Sequence, residues 1–192
     1  MKVRRTMKMK VQRFEVGDVI RFKLTDGEKV EAIAVKQVGS NMLFIHTDCL
    51  KKEYPMYDEY NEDGYGDFDS SDLRKYLNSD ILSRYPRKIR KKMAAFDNGD
   101  MLRLPTEKEI FGINEYGKEE GEEVVQFECM KKRKHRIAFQ GYGADGWEWY
   151  WLENRHKASA SSFCYVYSYG SSVYGDASGA LGVRPLFLVN NL

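Results

Sequence analysis

The chain has almost no net charge: 31 Lys and Arg stand against 29 Asp and Glu over 192 residues, leaving +2. With no global field, its bulk calls for neither nucleic acid, nor a membrane surface, nor an acidic substrate. It is poor in cysteine. Cys49, Cys129 and Cys164 lie far apart with no C-x-x-C spacing, which excludes a zinc knuckle and a disulfide framework and leaves reduced, buried thiols in a protein made in the cytosol. No apolar run approaches the length of a membrane span. The basic opening from Met1 to Val11 has no apolar core behind it, so it fails as a signal peptide, and cytoplasmic synthesis is expected.

Catalytic signatures are missing too. There is no G-x-S-x-G elbow, no P-loop and no Rossmann glycine fingerprint; Gly141-Tyr-Gly-Ala-Asp-Gly146 reads as a turn. His46, His135 and His156 show no ligand spacing. Glu59, Asn61, Asp63 and Gly64 occupy positions one, three, five and six of an EF-hand-like loop, but Ser70 stands at the twelfth, where a bidentate carboxylate is needed. No metal, no cofactor and no enzymatic activity are therefore expected. The basic clusters Arg84 to Lys92 and Lys131 to Arg136 lack interleaved aromatics and read as a solvated helix face and a solvated strand edge.

What is present is the composition of a globular domain, 42% hydrophobic and 14% aromatic, enough for one well-buried core. Residues 1–12 read as an N-terminal arm and 13–192 as a single domain. Residues 13–50 read as a β-meander: Asp18 to Leu24 and Lys29 to Val38 alternate, Thr25-Asp-Gly-Glu28 and Gly39-Ser-Asn41 turn, and Met42 to His46 follows. The acidic, tyrosine-rich stretch Glu53 to Asp72 reads as a loop that buries no face. Ser70 or Ser71 caps a helix over Asp72–Asn78, a second helical turn surrounds Ile81 and Leu82, and Pro86 ends it. Thr106 and Glu109 stand in capping-box register ahead of Gly112. Residues 114–123 read as an exposed loop.

From Ala158 to Val183 the only formal charge is Asp176, and Ser, Gly, Ala and Tyr take the place of charge. Tyr gives large amphipathic contact area at low entropic cost, and Ser and Gly give adaptable hydrogen bonding, the composition of a recognition surface. Short hairpins filled by Tyr and Ser account for it equally well. Alternation through Phe163-Cys-Tyr-Val-Tyr167 puts Cys164 with Val166 on a buried face and Tyr165 with Tyr167 outward.

Trp151-Leu-Glu-Asn-Arg155, the Ser/Tyr-rich stretch and Gly182-Val-Arg-Pro-Leu-Phe-Leu188 resemble the closing half of an uncharacterised domain family of gut bacteria and their phages with a W-L-R-S … G-V-R-P signature. The meander, the Asp72–Asn78 helix and Leu104–Gly112 resemble it as well. The chain departs from it at Glu153-Asn154, and at Ala32, where a tryptophan is expected. That family is similar to the formylglycine-generating-enzyme branch of the C-type lectin fold. The resemblance implies an α+β domain with two short helices, small twisted antiparallel sheets and an irregular C-terminal half. The enzyme branch uses a pair of reactive cysteines; this tail has Cys164 alone, so that activity is not carried over. The same branch includes the variable proteins of diversity-generating retroelements. Residues 158–179 contain no Lys, Glu, Gln, Met or Trp, and each is reachable from an Asn codon by changes at adenines.

The expected function is a non-enzymatic ligand- or receptor-binding protein that uses Ser159, Ser161, Tyr165, Tyr167, Tyr169, Tyr174 and Asp176. Trp147, Trp149 and Trp151 would form the floor beneath these residues, and Arg184 would bond internally. The expected partner is a protein or glycan on a cell surface, with no nucleic acid and no membrane span; oligomerisation is left open, and location on a virion is the resemblance's implication. The alternative is a structural phage or cell-surface component whose C-terminal segment packs subunits.

Overall fold

In the computed structural model, which describes residues 13–191, alternation and turn glycines build the opening meander. β1 (Val19–Lys23), β2 (Lys29–Val38) and β3 (Asn41–His46) pair antiparallel. Gly27 and Gly39 take positive φ in the two connecting turns, where other side chains would be strained. Next in chain order come β4 (Tyr54–Pro55), α1 (Asp72–Tyr76), a π-helical turn (Leu77–Ile81), α2 (Leu82–Arg84), α3 (Arg87–Arg90), β5 (Met93–Ala94) and α4 (Glu107–Phe111). The second half holds α5 (Arg133–Arg136), β6 (Ala138–Phe139), β7 (Trp147–Glu148), β8 (Tyr150–Arg155), β9 (Ser162–Val166), β10 (Ser172–Asp176), β11 (Ala180–Leu181) and β12 (Leu186–Asn190). The class is α+β, with short helices, small antiparallel sheets and an irregular second half. The expected arm at 1–12 lies outside the described residues. Among the described residues no helix is long and apolar enough to cross a membrane.

The largest sheet has the order β1-β2-β3-β12-β5, so the closing strand lies between the meander and a short edge strand. Both of its faces are buried. Val30, Ala32, Ala34, Met42, Phe44, Phe187 and Val189 enter one apolar cluster; Val35, Leu43, Ile45, Leu186 and Leu188 enter another. A bulge between Ala34 and Lys36 breaks the register of β2 against β3. Burial on both sides explains why β3 and β12 read as nearly unbroken apolar runs. The smaller sheet, β10-β9-β8, also contributes to both clusters, with Trp151 and Phe163 in the first and Leu152, Cys164 and Val166 in the second.

Four local expectations change. The two helical segments after Ser71 form one run, since Asn78 spends its amide on Arg74 O, Leu102 O and the Met101 and Leu102 amides rather than capping an end. Single helical turns at α3, α4 and α5 add to it, and the basic cluster read as a strand edge is α5. The acidic stretch is a loop, yet it buries Tyr54, Met56, Tyr65 and Phe68 in the first cluster, because large aromatic rings supply the apolar area its missing aliphatics cannot. The 114–123 loop is tied down at Tyr116 and Gly117, whose amides donate to the buried Glu107 carboxylate. The capping box of Thr106 and Glu109 forms, with Gly112 closing α4 in the left-handed region.

Arg184 bonds internally. Its Nε donates to His46 O at 2.7 Å, and its Nη1 to His135 O at 3.1 Å and Tyr150 Oη at 3.0 Å, joining β3, α5 and β8 at the start of the closing strand. His46, on β3, is buried rather than exposed, and its Nε2 lies 2.7 Å from Tyr85 Oη. Burial, then the Arg184 and Arg84 charges, hold its pKa at about 3, so it is neutral and Tyr85 donates.

Candidate functional site

The 158–179 window is a loop, β9, a tight turn and β10. β9 pairs with β8 through Tyr150↔Val166, Trp151↔Tyr165 and Arg155↔Phe163, with an irregularity between the last two, and with β10 through Ser172↔Val166 to Asp176↔Ser162. This register decides which side chains meet. Tyr165 stands opposite Val173, while Tyr174 stands opposite Cys164 on the other face.

Tyr165, Tyr167 and Tyr169 are brought together with two tryptophans from β7 and the residue after it. Trp149 stacks on Tyr165 at 5.7 Å between centroids and lies 4.7 Å from Tyr167; Tyr167 meets Tyr169 at 5.8 Å, and Tyr169 meets Trp147 edge-on at 5.8 Å. Trp151 meets Tyr165 edge-on at 5.8 Å beneath them. These are favourable aromatic geometries, and they link six rings into one chain running from the core to solvent. Exposure follows the same path: Trp151 is 1% exposed, Trp149 37% and Trp147 58%. Only Trp151, on β8, is floor; Trp149, just before β8, and Trp147, on β7, lie progressively nearer to solvent. Trp147 and Trp149 belong to the surface itself, a role the sequence reading missed although the alternate spacing put all three on one side.

Tyr165 is half-buried, less exposed than the alternation implies. Its face of β9 packs on the first cluster, and a Cβ on Gly175 would sit 3.1 Å from its ring. Burial, then Tyr167, push its phenol upward. The turn beyond it is fixed by Tyr167 N–H to Ser171 O and Gly170 N–H to Tyr167 O. α5 clamps this turn: Arg133 Nε donates to Tyr169 O at 2.6 Å and Arg136 Nε to Gly170 O at 3.1 Å.

The other four expected residues lie elsewhere. Tyr174 is exposed on the opposite sheet face with His156 at 4.0 Å and Tyr116 at 5.2 Å. Asp176 shares that face, but its Oδ1 accepts from the Ser178 amide and hydroxyl and is engaged in its own turn. Ser159 and Ser161 are half-buried; Ser159 Oγ donates to Ser162 Oγ at 2.9 Å, and their loop lies against the acidic segment through Tyr65 N–H to Ala160 O. The seven residues therefore divide among two sheet faces and a loop.

Cys164 is buried, and burial followed by the Glu107 charge pushes its thiol well above the ordinary value, which opposes thiolate formation. Among the described residues no three of His, Cys, Asp and Glu are grouped to hold a metal ion. A family model described as a domain of unknown function (DUF6273) matches residues 40–191. No curated protein and no solved structure matches the chain.

Proposed function

The chain belongs to the DUF6273 family, and from that footing we propose that it is a non-enzymatic binding protein that engages a protein or glycan on a cell surface through Trp147, Trp149, Tyr167 and Tyr169. The supporting observation is the chain of rings that leaves the core at Trp151 and ends at Trp147 and Tyr169, both more than half exposed. Rigid aromatic side chains held by their neighbours lose little entropy on binding and are the residue types that dominate interface energetics. The C-type-lectin-like architecture and diversification of 158–179 by a retroelement extend the same reading, since Tyr167 and Tyr169 fall in the window and the tryptophans outside it would be a fixed part of the surface.

The test compares the full chain with Trp147→Ala/Tyr169→Ala on immobilised glycans and on intact bacterial cells. Saturable binding by the wild type, weakened at least about tenfold in the double variant at unchanged melting temperature, is the expected result. Equal binding by both proteins would overturn the reading. So would a wild type that sediments as a dimer and a variant that sediments as a monomer, because the rings would then pack subunits. For diversification, the coding DNA should carry a near-copy of the 158–184 segment, differing mainly at adenines, beside a reverse transcriptase gene.

A further inference from the structure

A cavity of about 310 Å³, away from the ring chain, opens between β1, β2 and the 129–139 segment. Its walls are mostly apolar, formed by Val19, Ile33, Met130, Ile137 and Phe139, and the buried Arg184 reaches it. Arg184 places Nε and Nη1 on three protein acceptors. Nη2 has no acceptor among the described residues, and Arg184 is one of the residues that line the cavity. Arg184, 2% exposed, thus lies at the wall of a largely apolar space with one amino group unused, a setting where a charged acceptor is held strongly.

The other charges fix the sign of the ligand. Glu31 is taken by Arg21 at 2.7 Å. Asp48 accepts the Phe139 amide at 3.2 Å, and its carboxyl is pushed upward by burial. Lys134, at the rim, makes no ion pair among the described residues, and His135 has its Nδ1 2.9 Å from Cys129 O. Arg184 and Lys134 against Asp48 leave one positive charge in excess. At ~30 Å³ per water the space holds about ten heavy atoms.

We propose that this cavity binds a small monocarboxylic acid with an apolar body, its carboxylate on Arg184 Nη2 and its body against Ile33, Ile137 and Phe139. The site is independent of the surface proposed above, since none of the exposed rings lines it.

The probe is 3-phenylpropionate, titrated into the isotope-labelled full chain and followed by amide chemical shifts. Its uncharged isostere 3-phenylpropanamide and the bodiless anion acetate serve as controls. Saturable shifts at the amides of residues 33, 137 and 139 are expected, with the acid at least about tenfold tighter than either control. Lys134→Gln, at an exposed position, should weaken the acid and leave the amide unchanged; Ile137→Trp should fill the space and abolish both. Absence of saturable shifts at those amides up to about 10 mM probe would overturn the proposal. An amide as tight as the acid would overturn it equally, because the guanidinium would then not be reading charge.

Discussion

Tyr165 and Tyr169 belong to one chain of rings but differ in what lies behind them. Tyr165 is pinned between Trp149, Trp151 and the bare backbone of Gly175. Tyr169 rests on Trp147 and Tyr167 at the tip of a turn and is 54% exposed. Removing a ring from a packed site costs both its transfer energy and the void it leaves, whereas an exposed ring loses little. Tyr165→Ala should therefore cost about 2 kcal/mol, and Tyr169→Ala no more than about 0.5 kcal/mol. Thermal denaturation of the two variants decides it: equal drops in melting temperature would mean that both rings share one environment. The distinction is invisible in the sequence. Alternation says correctly that Tyr165 and Cys164 face opposite sides, but deciding which side is solvent needs the second apolar cluster, and in this sheet both sides have one.

The ring surface depends on α5, which contributes no ring to it, and on the turn that carries Tyr169. α5 is one helical turn, yet Arg133 and Arg136 hold the carbonyls of Tyr169 and Gly170, while Arg136 O accepts from Tyr150 and His135 O accepts from Arg184. A basic run that looks like solvated surface in the sequence is a clamp, because guanidinium groups can reach backbone carbonyls that are distant in sequence and carry no pattern of their own. The turn has its own requirement. Gly170 has φ +72°, and a Cβ there would meet Arg133 O at 3.1 Å. Gly170→Ala should destabilise by roughly 1–2 kcal/mol from conformation alone and displace Tyr169 from the clamp. Loss of the Tyr169–Trp147 contact would register as a change in tryptophan fluorescence; unchanged emission with unchanged melting temperature would refute the clamp. The meander and the α4 cap, by contrast, are legible in the sequence, since period-two alternation, turn glycines and the Thr106–Glu109 spacing act within a few residues of each other.

At the scale of the whole molecule, near-zero net charge conceals ionisable groups with displaced pKa values that give stability a defined pH dependence. Glu153 is pushed up to about 8, mainly by burial, with Arg103 opposing and Glu109 reinforcing the shift. Glu148 is pushed up to about 7 by burial and by Glu53, against the Trp149 amide that it accepts. Both start from 4.5, so the folded chain binds more protons than the unfolded chain between 4.5 and those values, and stability falls as pH rises through that window. His46 acts in the other direction. Its pKa falls from 6.5 to about 3, so the unfolded chain takes up the proton first and stability falls as pH drops below 6.5. Above about 6.5 only the carboxyl effect remains; below about 4.5 only the histidine effect remains, joined by Asp26 and Asp72, whose pKa values are lowered by hydrogen bonds. Between about 4.5 and 6.5 the two carboxyls outweigh the one histidine, so melting temperature should be highest near pH 4.5, fall as pH rises from there and fall again below it. Glu153→Gln should remove much of the decline between 6.5 and 8 and leave the acid side unchanged, which separates burial of this carboxyl from a general charge effect. A melting temperature that rises from 6.5 to 8 in the wild type would show that the carboxyl is solvated and that the packing of β8 against the Arg103–Glu109 pair is looser than the structure has it.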